Sequence, residues 1–92
     1  MATTRVRVIV DGRVQGVYFR ESARRESLAL GVAGWVRNLS GGRVEAVFEG
    51  EPEAVANAVA WARRGPAHAV VTSIEEFSGE EPEGLLGFEV RS

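Results

Sequence analysis

The stretch Gly12-Arg13-Val14-Gln15-Gly16-Val17-Tyr18-Phe19-Arg20 joins a β-type pattern to a helical one through two glycines and ends on an arginine. A strand-to-helix junction of this kind lets successive main-chain N–H groups converge on one anion, with a helix N-terminus behind them. It is a phosphate cradle in outline. It is not a Walker loop, because no Gly-Lys-Ser/Thr is present, and Gly12 and Gly16 lack the spacing of a dinucleotide fingerprint. The same residues also fit a tight turn whose glycines serve only a positive φ. Arg20 offers a planar, permanently charged fork that suits two phosphate oxygens and the charge of a transferring phosphoryl group. A second segment, Gly34-Trp35-Val36-Arg37-Asn38, ends on an uncharged side chain with donor and acceptor on one short arm, able to hold a water without titrating. Taken singly, Arg20 reads as an exposed helix arginine and Asn38 as a turn residue that tolerates a left-handed backbone. They become a site only if the fold brings them together.

Other chemistries lack their parts. The 92 residues include no cysteine and no lysine, with one histidine (His68) and one aspartate (Asp11). Thiolate nucleophiles, Cys-rich zinc sites, Schiff-base lysines and disulfides are excluded. One histidine cannot build a multi-histidine cage, and one aspartate cannot supply the paired aspartates of a carboxylate-nucleophile phosphatase. Any site here is built from Arg, Glu, Asn, Ser, Thr or the backbone, and neither a metal nor a cofactor is expected.

The elements that position these residues follow from spacing. Val6, Val8 and Val10 alternate with Arg5, Arg7, Ile9 and Asp11, the period of a strand with one buried face. The composition turns helical at Phe19, with Ala23 and Leu30 on one side and Gly31 at the stop. Residues 32–37 read as a second strand, Asn38-Leu39-Ser40-Gly41-Gly42 as a turn, and 43–49 as a third strand, the two forming a hairpin. Pro52 suits a first helical turn, and Val55, Val59 and Ala62 recur at i, i+4 and i+7 with Trp61 beside them, until Gly65-Pro66 ends that helix. A fourth strand is expected over 70–77, an acidic loop over 78–87 and a short last strand over 88–91. The order β-α-β-β-α-β with a short final strand is the split βαβ, or ferredoxin-like, α+β pattern: one domain, core about 5–91, with two helices on one face of a mainly antiparallel sheet.

That topology makes the two candidate segments neighbours. A right-handed crossover through the first helix makes the second strand parallel to the first, so both end at the same edge of the sheet. With the third strand between them, their ends lie about 10 Å apart, two strand spacings. An arginine at the start of the helix can reach into that gap. Charge agrees: residues 1–46 hold eight arginines against four acids, and residues 47–92 hold three against nine. An anion is to be sought in the basic half, although charge alone fits solvated faces with an accidental bias equally well.

The two blocks, Gly12 through Arg20 and Gly34 through Asn38, followed by Gly42-Arg43-Val44-Glu45, resemble those of the acylphosphatase family, small ferredoxin-like hydrolases of acyl phosphates. The resemblance spans the chain from first strand to last. It implies a phosphate-binding loop of Gln15, Gly16, Val17, Tyr18, Phe19 and Arg20 that uses main-chain amides and the Arg20 guanidinium, with Asn38 positioning the attacking water. The chemistry can run on so few groups. The leaving group of an acyl phosphate is a carboxylate whose acid has a pKa of about 4, so it departs at neutral pH without a general acid. Direct in-line attack with no phosphoenzyme and no metal is therefore expected, along with poor activity on ordinary phosphate monoesters. The substrate is a small acyl phosphate, and inorganic phosphate is the product and a competitive inhibitor.

Other residues carry weaker expectations. Tyr18 shapes the substrate entrance or is a surface aromatic; Ser40 supports the turn; His68 is structural or at the surface; Trp35 and Trp61 are packing residues rather than a stacking platform. Two other functions are open at this stage. An RNA-recognition module shares the element order but needs several exposed aromatics on its third strand, where 43–48 offers one and an acid. A non-catalytic acylphosphatase-like domain belongs in longer chains, whereas this one begins at Met1 and ends just after its last strand. The net charge of −2 argues against nucleic-acid partners, no apolar run approaches the roughly 20 residues of a membrane span, and no apolar signal stretch opens the chain. A cytoplasmic monomer is expected.

Overall fold

The computed structural model describes residues 2–91. The chain runs β1 (Thr4–Arg13), α1 (Phe19–Leu30), β2 (Ala33–Asn38), β3 (Val44–Gly50), α2 (Pro52–Arg64), β4 (Val70–Ser78) and β5 (Phe88–Arg91). The sheet order is β4-β1-β3-β2-β5, with β2–β5 parallel and the other three pairings antiparallel. The expected split βαβ architecture is therefore present, β3 lies between β1 and β2, and β5 extends the β2 edge.

Alternation decides which face each strand buries. Val8 and Val10 of β1, Val36 of β2, and Val44, Ala46 and Phe48 of β3 form one layer, and Phe19 and Ala23 of α1 with Val55, Ala58, Val59 and Ala62 of α2 form the other. Phe19 ties the helices together, its ring 5.2 Å from that of Trp61 and tilted by 51°. It is 2% exposed, and removing such a ring costs about 3–5 kcal/mol. Gly31 ends α1 in a left-handed conformation, with the Val32 N–H donating to the Ser27 carbonyl at 2.8 Å.

Two boundaries differ from the sequence expectation, and both move the site. Gly12 and Arg13 belong to β1 rather than to the loop, because the strand continues past a register shift between Asp11 and Gly12. At Gly12, φ is +123° and the β4 backbone at Val70 and Thr72 occupies the space a Cβ would need. The first glycine thus serves strand pairing, and the connecting loop shrinks to residues 14–18. Asn38 is likewise the last residue of β2, paired with Val44, rather than part of the turn. The left-handed positions fall on Gly41 and Gly42 instead, so Asn38 is held by strand pairing.

The face away from the helices carries charge. Arg5 and Arg7 of β1 interleave with Glu45 and Glu49 of β3, and the loop after β4 crosses this face to reach β5. Glu80 of that loop accepts from both Arg5 and Arg7 at 3.2 Å. Phe48 packs on the helix side at 1% exposure, so the aromatic on which an RNA-binding surface over β3 would depend is buried.

Candidate functional site

The five residues between β1 and α1 are pinned at both ends by the core. Val14 is 1% exposed and Phe19 is its counterpart at the helix start, so the loop between them is held taut over the sheet edge. Within it φ is positive at Gly16 (75°) and at Tyr18 (60°), and at no other non-glycine residue among those described. Sign alternation of this kind through Gly16, Val17, Tyr18 and Phe19 curls successive N–H groups toward one side, the geometry of an anion nest. Tyr18 is also the N-cap of α1 and places no side-chain hydrogen bond on its first turn. The first N–H groups of the helix are left for a ligand, and the helix dipole favours a negative one.

A cavity of about 350 Å³ opens there, lined by Val14, Gly16, Tyr18, Phe19, Arg20, Glu21, Asn38 and Val90. It brings together Arg20 and Asn38, the two residues singled out from the sequence, with three of the other loop residues. Val17 and Gln15 do not line it. Phe19 contributes its side chain to the core, so its part in binding a ligand is confined to the main chain. His68 is exposed on the connection between α2 and β4 and lies outside this lining. Ser40 is exposed in the turn, and Trp35, 8% exposed, sits under the guanidinium groups of Arg37 and Arg91.

Arg20 is fixed from an unexpected direction. Its Nη1 donates to the main-chain oxygen of Arg91 at 2.9 Å, so the last strand forms one wall of the site and supplies Val90 to the lining. Nothing in the sequence marks that contact, because it depends on β5 adding parallel to β2 at the sheet edge. The neighbouring Glu21 carries a negative charge into the cavity wall. Hydrogen bonds from Arg24 and then Arg25 draw its carboxyl down to about 2, and those same arginines, one turn along the helix, offset its repulsion of an anion. Arg5, Arg7 and Arg37, which contribute to the basic bias of the first half, are engaged by Glu45, Glu49 and Glu80 on the sheet face. Arg20 is the arginine that lines the cavity.

Gln15 has a place that its amide-only reading missed. Its Nε2 donates to the Leu39 carbonyl at 2.8 Å and to the Arg43 carbonyl at 2.9 Å, linking the loop to the hairpin turn beside Asn38. The signal was in the residue type, since a glutamine amide carries two N–H donors at the end of a flexible arm.

The acylphosphatase family profile matches residues 6–90. Acylphosphatases from Rubrobacter xylanophilus and Gloeobacter violaceus are 57% and 56% identical to this chain, over 97% and 98% of its length and 81% and 97% of theirs. The crystal structure of acylphosphatase from Bacillus subtilis superposes with a TM-score of 0.92 at 37% identity, covering 97% of this chain and 99% of that one. An acylphosphatase structure from Coxiella burnetii gives 0.91 at 39% identity, covering 97% and 93%. With the matched segment running from the first strand to the last and the cavity built by both sequence blocks, the chain belongs to the acylphosphatase family.

Proposed function

We propose that this protein, an acylphosphatase by family, hydrolyses the carboxyl-phosphate bond of acyl phosphates by in-line attack of a water held by Asn38 on a phosphate held by Arg20 and the main-chain amides of residues 15–20. The observation that carries this reading is the cavity that Arg20 and Asn38 share with the positive-φ loop.

The roles divide by chemistry. The amides and the Arg20 guanidinium take the nonbridging phosphate oxygens, matching charge that spreads over them as the phosphoryl group transfers. Asn38 holds the water on the side opposite the acyl oxygen. As the water oxygen bonds to phosphorus, the P–O bond to the acyl group breaks and both electrons leave with the carboxylate. The proton of the water passes to a phosphate oxygen, so inorganic phosphate forms with no covalent enzyme intermediate. Effective positioning alone is worth several powers of ten. Among the described residues no group of three or more His, Asp or Glu side chains gathers as metal ligands would, and a carboxylate leaving group asks for no Lewis acid. Inorganic phosphate, which presents the same oxygens, occupies the site as product and competes with substrate.

The test is hydrolysis of benzoyl phosphate or acetyl phosphate in the presence of EDTA. Arg20→Gln is expected to abolish both turnover and phosphate inhibition, and Asn38→Ala to cut turnover about 10²-fold or more while sparing phosphate inhibition. Folded protein without activity would overturn the reading.

A further inference from the structure

We propose that Gln15 is the positioning residue for Asn38: its side chain clamps the cradle loop to the β2–β3 turn and so sets the distance between the phosphate and the water. This rests on the role given to Asn38 above.

The cradle and Asn38 stand on different strands with β3 between them. Strand pairing fixes Asn38 to β3 through its partner Val44, but residues 14–18 lie beyond the end of β1 and have no ladder to hold them. Gln15 supplies the missing connection. Its Nε2 meets the carbonyls of Leu39 and Arg43, 24 and 28 residues away in sequence. Leu39 directly follows Asn38, and its own N–H closes the turn onto the Arg43 carbonyl at 2.8 Å. The Arg43 oxygen thus accepts from Leu39 and Gln15 together, and both amide protons of Gln15 are used.

The orientation of the amide is chemically determined. Turned over, it would set its own oxygen against two carbonyl oxygens, so the donors must face the turn. A glutamate in this place has no N–H to give and would add a charge beside the phosphate. Asparagine is one methylene shorter and cannot span both acceptors from the same backbone position. Aspects of the phosphate site itself do not need the clamp: the nest is held by Val14 and Phe19 in the core, and Arg20 by the Arg91 carbonyl. The clamp therefore bears on the separation of phosphate and water, and its loss is expected to reach turnover before binding.

The test is Gln15→Met, which keeps the length and flexibility of the side chain and removes both donors, measured alone and combined with Asn38→Ala. Gln15→Met is expected to lower kcat by about 10- to 100-fold, as for a misplacement of about 1 Å, with phosphate inhibition changed less than about threefold. In the Asn38→Ala background the same change is expected to cost less than about threefold, because there is no longer a held water to misplace. Gln15→Lys, which restores donors toward the two carbonyls, is expected to recover part of the lost kcat. Wild-type kcat in Gln15→Met, or an equal loss in both backgrounds, overturns the inference. Wild-type turnover in Asn38→Ala alone would instead sink the reading of Asn38 on which it stands.

Discussion

Arg5 and Glu49 face each other across the β1–β3 pairing, with the guanidinium Nη1 2.8 Å from the carboxylate Oε2 and the two side chains 10% and 2% exposed. The same carboxylate accepts main-chain N–H groups from Glu83, Gly84 and Leu85 at 2.8 to 3.1 Å. One buried acid therefore anchors the loop that carries the chain from β4, across the sheet, to β5. Glu49→Ala leaves Arg5 and three N–H groups without that partner. It is expected to destabilise the fold by about 3 kcal/mol, at the low end for a broken buried pair because Glu80 and Glu83 remain near Arg5. Urea unfolding measures the loss, and amide exchange is expected to show it concentrated over residues 83–91.

The acid limb of stability follows from three carboxylates. Glu21 is drawn to about 2 by Arg24 and Arg25. Glu80 is held below its ordinary value by Arg5 and Arg7. Burial pushes Glu49 up, but the N–H groups of Glu83 and Leu85 and the Arg5 guanidinium outweigh it, so it too lies low. A carboxyl depressed by folding stabilises the protein fully above its unfolded value, 4.5 for glutamate, and loses that contribution as pH falls through the folded value. Urea midpoints are thus expected to hold from pH 7 down to about 5 and to fall steadily toward pH 2. Glu49→Gln is expected to flatten that fall, and an unchanged slope would remove Glu49 from the account.

How much of this was visible in the sequence depends on whether a residue acts locally or across the fold. Val6, Val8 and Val10, Gly31 and Pro52 announce their elements because each obeys a rule of its own few neighbours. Arg20 and Asn38 were legible as a pair because the crossover topology forces the ends of β1 and β2 to one edge. Gly12 was misplaced, since its need for an absent Cβ comes from β4, about sixty residues away. The left-handed Tyr18 was not foreseeable, because nothing in a tyrosine signals it; the conformation occurs between Val14 and Phe19, both buried in the core. The Arg91 carbonyl on Arg20 and the Gln15 clamp are likewise long-range contacts, which spacing along the chain does not record.

Substrate class is expected to follow leaving-group chemistry. The cavity lining includes one acid, Glu21, kept ionised well below neutral pH, and His68 lies outside it. No group there is poised to protonate a departing alkoxide near pH 7. Where a general acid contributes about 10²- to 10⁴-fold, its absence leaves monoesters behind. Steady-state assays are expected to show kcat/KM for an alkyl phosphate at least about 10²-fold below that for acetyl phosphate. His68→Asn is expected to leave both rates and their pH profiles unchanged; a lost pH limb in that variant would place the histidine in the reaction.

Tyr18 joins backbone strain to an exposed ring at the mouth of the cavity. Its side chain is 81% exposed and its φ of 60° puts a bulky residue in the left-handed region, which costs about 1–2 kcal/mol. Tyr18→Gly removes that strain and adds roughly 0.5–1 kcal/mol of backbone entropy loss on folding, so stability is expected to stay level or rise by up to about 1.5 kcal/mol by thermal or urea unfolding. The ring that is lost lines the cavity, and in the binding mode proposed above, with the phosphate at the loop amides and Arg20, it stands on the side left for the acyl group. An aromatic contact of about 0.5–1.5 kcal/mol corresponds to roughly a two- to tenfold preference. The ratio of kcat/KM for benzoyl phosphate to that for acetyl phosphate is therefore expected to fall by that factor in Tyr18→Gly and to survive in Tyr18→Phe. If the ratio is the same in all three proteins, the ring does not meet the acyl group, and the strained backbone of Tyr18 serves the anion nest alone.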